Sequence, residues 1–129
     1  MTTARLFVAI AALLGGTSVA AGAFATHALR AQLSDRLLTI FETGARYQMY
    51  HALALLLVAL VLVQGLGAPG LLTVAGWAFV AGTAIFSGSL YALALTGQNL
   101  LGAVAPVGGA VLMLGWGCLA VAALVGVGE

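Results

Sequence analysis

The side chains here best equipped for chemistry are two histidines, His27 and His51, one carboxylate, Glu42, one guanidinium, Arg46, and one phenol, Tyr50. Imidazole and carboxylate suit zinc or iron, so His27 and His51 with Glu42 form a conceivable ligand set for a metal or haem. Glu42, Arg46 and Tyr50 are spaced i, i+4, i+8, which lets Glu42 and Arg46 pair if one helix carries both. A surface pair of that kind contributes only about 0.3–0.5 kcal/mol. No nucleophile–base pair, phosphate loop or zinc-helix motif accompanies these groups. The single cysteine, Cys118, lies in an apolar run and reads as a small core residue. The sequence therefore predicts no enzyme, no cofactor and no bound metal. A metal- or haem-binding membrane enzyme using His27 and His51 is the more distant alternative.

The elements that must position these groups follow from where charge is missing. No Lys, Arg, Asp or Glu occurs from Tyr47 to Gly128. Apart from Arg5 and Glu129, all charge falls in one segment: Arg30, Asp35, Arg36, Glu42 and Arg46. The 129 residues are 5% charged and 64% hydrophobic, with net charge +1. A charge at the bilayer centre costs roughly 2.5 kcal/mol or more, so this pattern is that of a chain built for lipid. The small net charge leaves no electrostatic footprint for nucleic acid.

A hydrocarbon core about 30 Å thick takes about 20 apolar residues per helix. Four spans are predicted, at about 6–26, 47–66, 71–95 and 100–125, in a single integral membrane domain over 1–129. Gly65-Leu66-Gly67-Ala68-Pro69-Gly70 and Thr96-Gly97-Gln98-Asn99 are the tight turns between the later spans. Span one imitates a signal peptide, with Arg5, an apolar run and small-residue sites at Ser18-Val19-Ala20 and Ala21-Gly22-Ala23. Its apolar run continues to Thr26, long enough to span, and this favours a retained helix. Between spans one and two, Leu33, Leu37, Ile40, Phe41 and Gly44 share one face of a helix over about 34–45, with Ser34 as N-cap. This predicts an interfacial amphipathic helix on an all-α, four-transmembrane-helix bundle.

Close helix contacts in lipid use small residues, and Gly15, Gly22, Gly82, Gly88, Gly109 and Gly115 are the candidates. Leu-rich span two is expected to face lipid more than the others. With four crossings, His27, Arg30, Glu42, Arg46, Gln48, Tyr50, His51, Tyr91, Gln98 and Asn99 collect on one side of the membrane. The excess of Arg there predicts that side to be cytoplasmic.

The strings Gly22-Ala23-Phe24-Ala25-Thr26-His27-Ala28-Leu29, Phe41-Glu42-Thr43-Gly44-Ala45-Arg46-Tyr47-Gln48-Met49-Tyr50-His51, Gly88-Ser89-Leu90-Tyr91-Ala92-Leu93 and Leu101-Gly102-Ala103-Val104-Ala105-Pro106-Val107-Gly108-Gly109 carry a resemblance. They resemble the YgdD/YwdK family of small bacterial membrane proteins of unknown function, which has mitochondrial relatives. The family usually has Gly-Ala before the first histidine, where this chain has Ala25-Thr26. The resemblance implies a multi-span membrane protein and no particular activity.

Small size, glycine-bearing helices and short loops predict a non-enzymatic accessory, assembly or scaffold component of a larger membrane complex, or a small homo-oligomer. Its partners would be the lipid bilayer and a larger membrane protein complex or its own copies. The expected location is a bacterial inner membrane, with multiple passes. A small-solute channel or carrier is the alternative. It is disfavoured because the later spans carry hydroxyls such as Thr83, Ser87 and Ser89 but no ionisable coupling group.

Overall fold

The structure, a computed structural model, describes residues 1–126. Four long helices run in order: α1 Thr3–His27, α2 Asp35–Gln64, α3 Pro69–Thr96 and α4 Ala105–Leu124. Short 3-10 turns at Leu29–Ala31 and Asn99–Ala103 fill two of the connections, and no strand occurs among the described residues. All four helical segments are long and apolar enough to cross a membrane. This is an all-α membrane protein.

Local chemistry sets the helix ends. The Thr2 and Ser34 hydroxyls accept from the Arg5 and Leu37 amides at 3.2 and 3.3 Å and so cap α1 and α2. Gly65 and Gly97, at φ 67° and 72°, close α2 and α3 in the left-handed conformation that glycine adopts without strain. Pro69 and Pro106 lie in the first turns of α3 and α4, where no intrahelical N–H is needed. The Ala68 amide donates to the Ala122 carbonyl at 3.0 Å and ties the α2–α3 turn to the end of α4.

One difference from the sequence reading concerns the charged segment. The amphipathic stretch over 34–45 is not a separate surface helix, because α2 runs unbroken from Asp35 to Gln64. Gly44 does not interrupt it. The Ser87 hydroxyl donates to the Gly44 carbonyl at 2.7 Å, and the Tyr91 ring lies against Gly44. These contacts outweigh the roughly 1 kcal/mol helix penalty of a glycine. At 1.5 Å per residue, α2 is about 45 Å long and exceeds the hydrocarbon core. Its first turns, with Asp35, Arg36 and Glu42, reach the headgroup side.

The helices pack in chain order, α1 on α2, α2 on α3 and α3 on α4. α1 touches α3 only lightly, through the buried Phe7 ring, which fills the space beside Gly76 and stacks edge-on against Trp77. Among the described residues α1 and α4 form no packed interface, so the four helices make an open row rather than a closed ring. This corrects the expectation that span two faces lipid most. Of the most apolar stretch of each helix, 39% is buried in α2 and 50% in α3, against 17% in α1 and 22% in α4. One face of α2 fills the core, with Leu55 and Val58 fully buried beside Phe7, Leu72 and Phe79, while Leu53, Leu56, Leu57 and Leu60 on its other face are exposed.

The glycines sort by what a methyl group would meet. At Gly82 it would lie 2.7 Å from Leu112, and at Gly115 2.7 Å from Phe79, so these two let α3 and α4 close up. Gly15 and Gly109 are looser, at 3.9 Å from Ala52 and 3.8 Å from Phe86. Gly22 and Gly88 face open space, a correction to their expected place in contacts within the chain. Gly76, under Phe7, and Gly108, against the Phe86 backbone, are close approaches the sequence reading did not single out.

Candidate functional site

Polar side chains inside an apolar bundle must find partners, because water is not there to supply them. Two groups of such contacts hold the row together.

The first centres on Gln48, buried at 6% exposure on α2. Its Nε2 donates to the Leu14 carbonyl at 2.8 Å and to the Thr17 hydroxyl at 2.7 Å, both on α1. Its Oε1 accepts from the Tyr91 hydroxyl on α3 at 2.7 Å. Thr17 in turn donates to the Leu13 carbonyl at 2.7 Å. Each amide proton and the amide oxygen of Gln48 thus has a partner, and one side chain joins three helices. Ser18 donates to the Ala45 carbonyl, and Ser87 to the Gly44 carbonyl, each at 2.7 Å. These fix the register of α1 and α3 against α2. The Tyr91 ring also packs on Phe41 at 4.8 Å between centroids, closing a small cluster with Ala25, Leu29 and Ala94.

The second group centres on His51, also on α2 and 5% exposed. The indole N–H of Trp116 on α4 lies 3.1 Å from His51 Nε2, and His51 Nδ1 lies 2.8 Å from the Tyr47 carbonyl. Indole can only donate, so Nε2 must accept. The imidazole is therefore neutral, with its proton on Nδ1 donating to Tyr47. Around it lie Tyr47, Phe79 and Trp116, with centroids 5.5 Å from His51 to Phe79 and 5.0 Å from Phe79 to Trp116. This contact bridges α2 to α4, whose backbones do not pack closely on each other.

Beside that bridge a groove of about 470 Å³ opens between α2 and α4, lined by Tyr47, His51, Phe86, Pro106, Gly109, Leu112, Met113 and Trp116. It exists because both helices pack on α3 rather than on each other, and because Gly109 adds no side chain to its wall.

The predicted cluster of His27, Glu42, Arg46, Tyr50 and His51 is not one assembly. Ser18 on α1 is level with Ala45 on α2. His27 lies nine residues beyond Ser18 and His51 six residues the other way from Ala45, about 20 Å apart along the axis. His27 is exposed at the end of α1, Arg46 and Tyr50 are exposed on α2, and Glu42 is half-buried. No ion pair joins Glu42 to Arg46 among the described residues. Nor do three His, Cys, Asp or Glu side chains converge to hold a metal among the described residues. The ligand set of two histidines and Glu42 is therefore not assembled.

Thr17, Ser18, Gln48, Ser87, Tyr91 and Trp116 are the polar contacts the sequence reading left unpaired. Their signal was a hydrogen-bonding group inside an apolar span. The hydroxyls considered for a solute path are mostly spent on packing, since Ser89 donates to the Phe86 carbonyl at 2.9 Å and Ser87 to Gly44. Thr83, 2% exposed, has a buried hydroxyl without a partner among the described residues.

Residues 21–109 match the family described as "Protein of unknown function (DUF423)". The UPF0382 membrane protein YwdK of Bacillus subtilis is 40% identical over 120 residues, covering 93% of this chain and 97% of the relative. The UPF0382 membrane protein SERP0230 of Staphylococcus epidermidis is 40% identical over 124 residues, covering 93% and 96%. The UPF0382 membrane protein SAB0533 of Staphylococcus aureus is 38% identical over 122 residues, covering 92% and 94%. No solved structure matches the chain.

Proposed function

We propose that this chain, which belongs to the DUF423 family of membrane proteins, is a non-enzymatic component that packs against other protein in the bilayer, either a larger complex or its own copies. One observation carries this reading: among the described residues the helices form an open row whose outer members, α1 and α4, are each covered on one side only. On α1 the uncovered face bears Ala9, Ala12, Gly16, Ala20 and Ala23, spaced three or four residues apart. Such a stripe suits helix contact better than lipid contact, because close approach of backbones is what draws helices together in a bilayer. The buried polar side chains support a structural role, since Ser18, Gln48, His51, Ser87 and Ser89 are all consumed in bonds between or along helices. Bacterial relatives named as membrane proteins support a bacterial cell membrane as the location.

The native mass of the protein, extracted from its own membranes in mild detergent, tests this. A stoichiometric species well above 12.9 kDa is expected. Monomer alone, with lipid as its only companion, overturns it.

A further inference from the structure

The groove beside His51 holds a polar handle of unusual specificity. Its walls are aromatic or soft: Tyr47, Phe86, Trp116 and Met113. Its volume of about 470 Å³ falls in the range that takes a small ligand. Trp116 and Met113 are 46% and 70% exposed, so the groove is open to the lipid phase.

Within these walls the hydrogen-bonding demand is fixed. Trp116 Nε1 must donate, and His51 Nε2 must accept, because the other imidazole nitrogen is committed to the Tyr47 carbonyl at 2.8 Å. At 3.1 Å the two groups satisfy each other. A group that enters between them must accept from the indole and donate to the imidazole at once. A hydroxyl does both and replaces one bond by two. A carbonyl or ether oxygen only accepts and leaves His51 Nε2 unpartnered at a cost. A plain acyl chain uses neither group. Aromatic walls and a thioether favour a flat ring over a saturated one. The handle also lies about a turn inside Arg46, the innermost charge, where an amphiphile carries its polar head.

We propose that the α2–α4 groove binds a membrane-soluble phenolic ring, of the quinol type, with its hydroxyl inserted between Trp116 and His51. The site is independent of whether the protein associates with others.

The test uses the full chain in lipid nanodiscs with 15N-labelled tryptophan, titrated with 2,3,5-trimethylphenol and with its methyl ether. The chain has two tryptophans, so Trp77, on the other side of the row, reports mere partitioning into lipid. A saturable shift of the Trp116 indole N–H is expected with the phenol, while Trp77 stays still. The ether is expected to bind about tenfold more weakly, as one lost hydrogen bond dictates. Gly109→Leu fills the groove and should abolish the saturable shift with the Trp77 signal unchanged. If that variant does not fold, His51→Phe keeps the ring shape, removes the acceptor and should remove the preference for phenol over ether. Equal binding of phenol and ether, parallel unsaturable shifts of both indoles, or undiminished binding by folded Gly109→Leu each overturns the proposal.

Discussion

The Tyr91 hydroxyl donates to Gln48 Oε1 at 2.7 Å, across 43 positions of sequence, and through Gln48 reaches Thr17 and Leu14 on α1. One glutamine thereby sets the relative height of three helices. Shape alone does this poorly in lipid, where no hydrophobic force separates helix from solvent.

Gln48→Leu should therefore lower stability by about 1–2 kcal/mol, since it strands the Tyr91 hydroxyl. Tyr91→Phe in the same chain should recover part of that loss. A double-mutant cycle from thermal unfolding in detergent checks the coupling, and strictly additive losses contradict it.

Thr83→Val should stabilise the protein by about 1 kcal/mol. It replaces a buried hydroxyl that has no partner with a methyl of the same size. A lower melting temperature for this variant would show that the hydroxyl is in fact satisfied.

Gly82→Leu and Gly108→Leu should destabilise the bundle severely, because a side chain there meets Leu112 or the Phe86 backbone. Gly88→Leu, facing open space, and Leu56→Ala, 37% exposed, should change little. Gly109→Leu should fall between, since its first carbon has ordinary contact distance to Phe86. Melting temperatures of the five variants in one detergent establish the order.

The location of the four spans was legible, because hydropathy over some 20 residues is a local property. The unbroken α2 was not. Glycine is a poor helix former, so the continuity of α2 through Gly44 depends on the Ser87 and Tyr91 contacts from α3, which no local pattern reveals. Parity put Gln48 and Tyr91 on the same side of the membrane, but pairing them needs the register of α2 against α3. Both histidines lie near predicted span ends, yet α2 begins well before Tyr47, which buries the His51 side chain against α4 and sets it far along the axis from His27. Trp116 looked like one more apolar residue, and its N–H acquires meaning only opposite His51. The lipid-facing helices were misjudged for a similar reason. Leucine content marks apolarity, not which neighbour a helix has.

Orientation follows the arginines. Arg30, Arg36 and Arg46 flank one connection, against Arg5 opposite, so that side should be cytoplasmic and both ends of the chain outside. A C-terminal phosphatase fusion, active only outside the cytoplasm, should be active. Silence of that fusion alongside activity of a cytoplasmic reporter reverses the topology.

The proposed association is tested most directly by photo-crosslinking in intact membranes. A benzophenone amino acid is placed at Val19, 64% exposed beside Gly16 and Ala20, and as a control at Leu57, 56% exposed on α2. A discrete protein adduct heavier than the 12.9 kDa chain is expected from Val19 and not from Leu57. Lipid adducts alone at Val19, matching those at Leu57, would contradict the account.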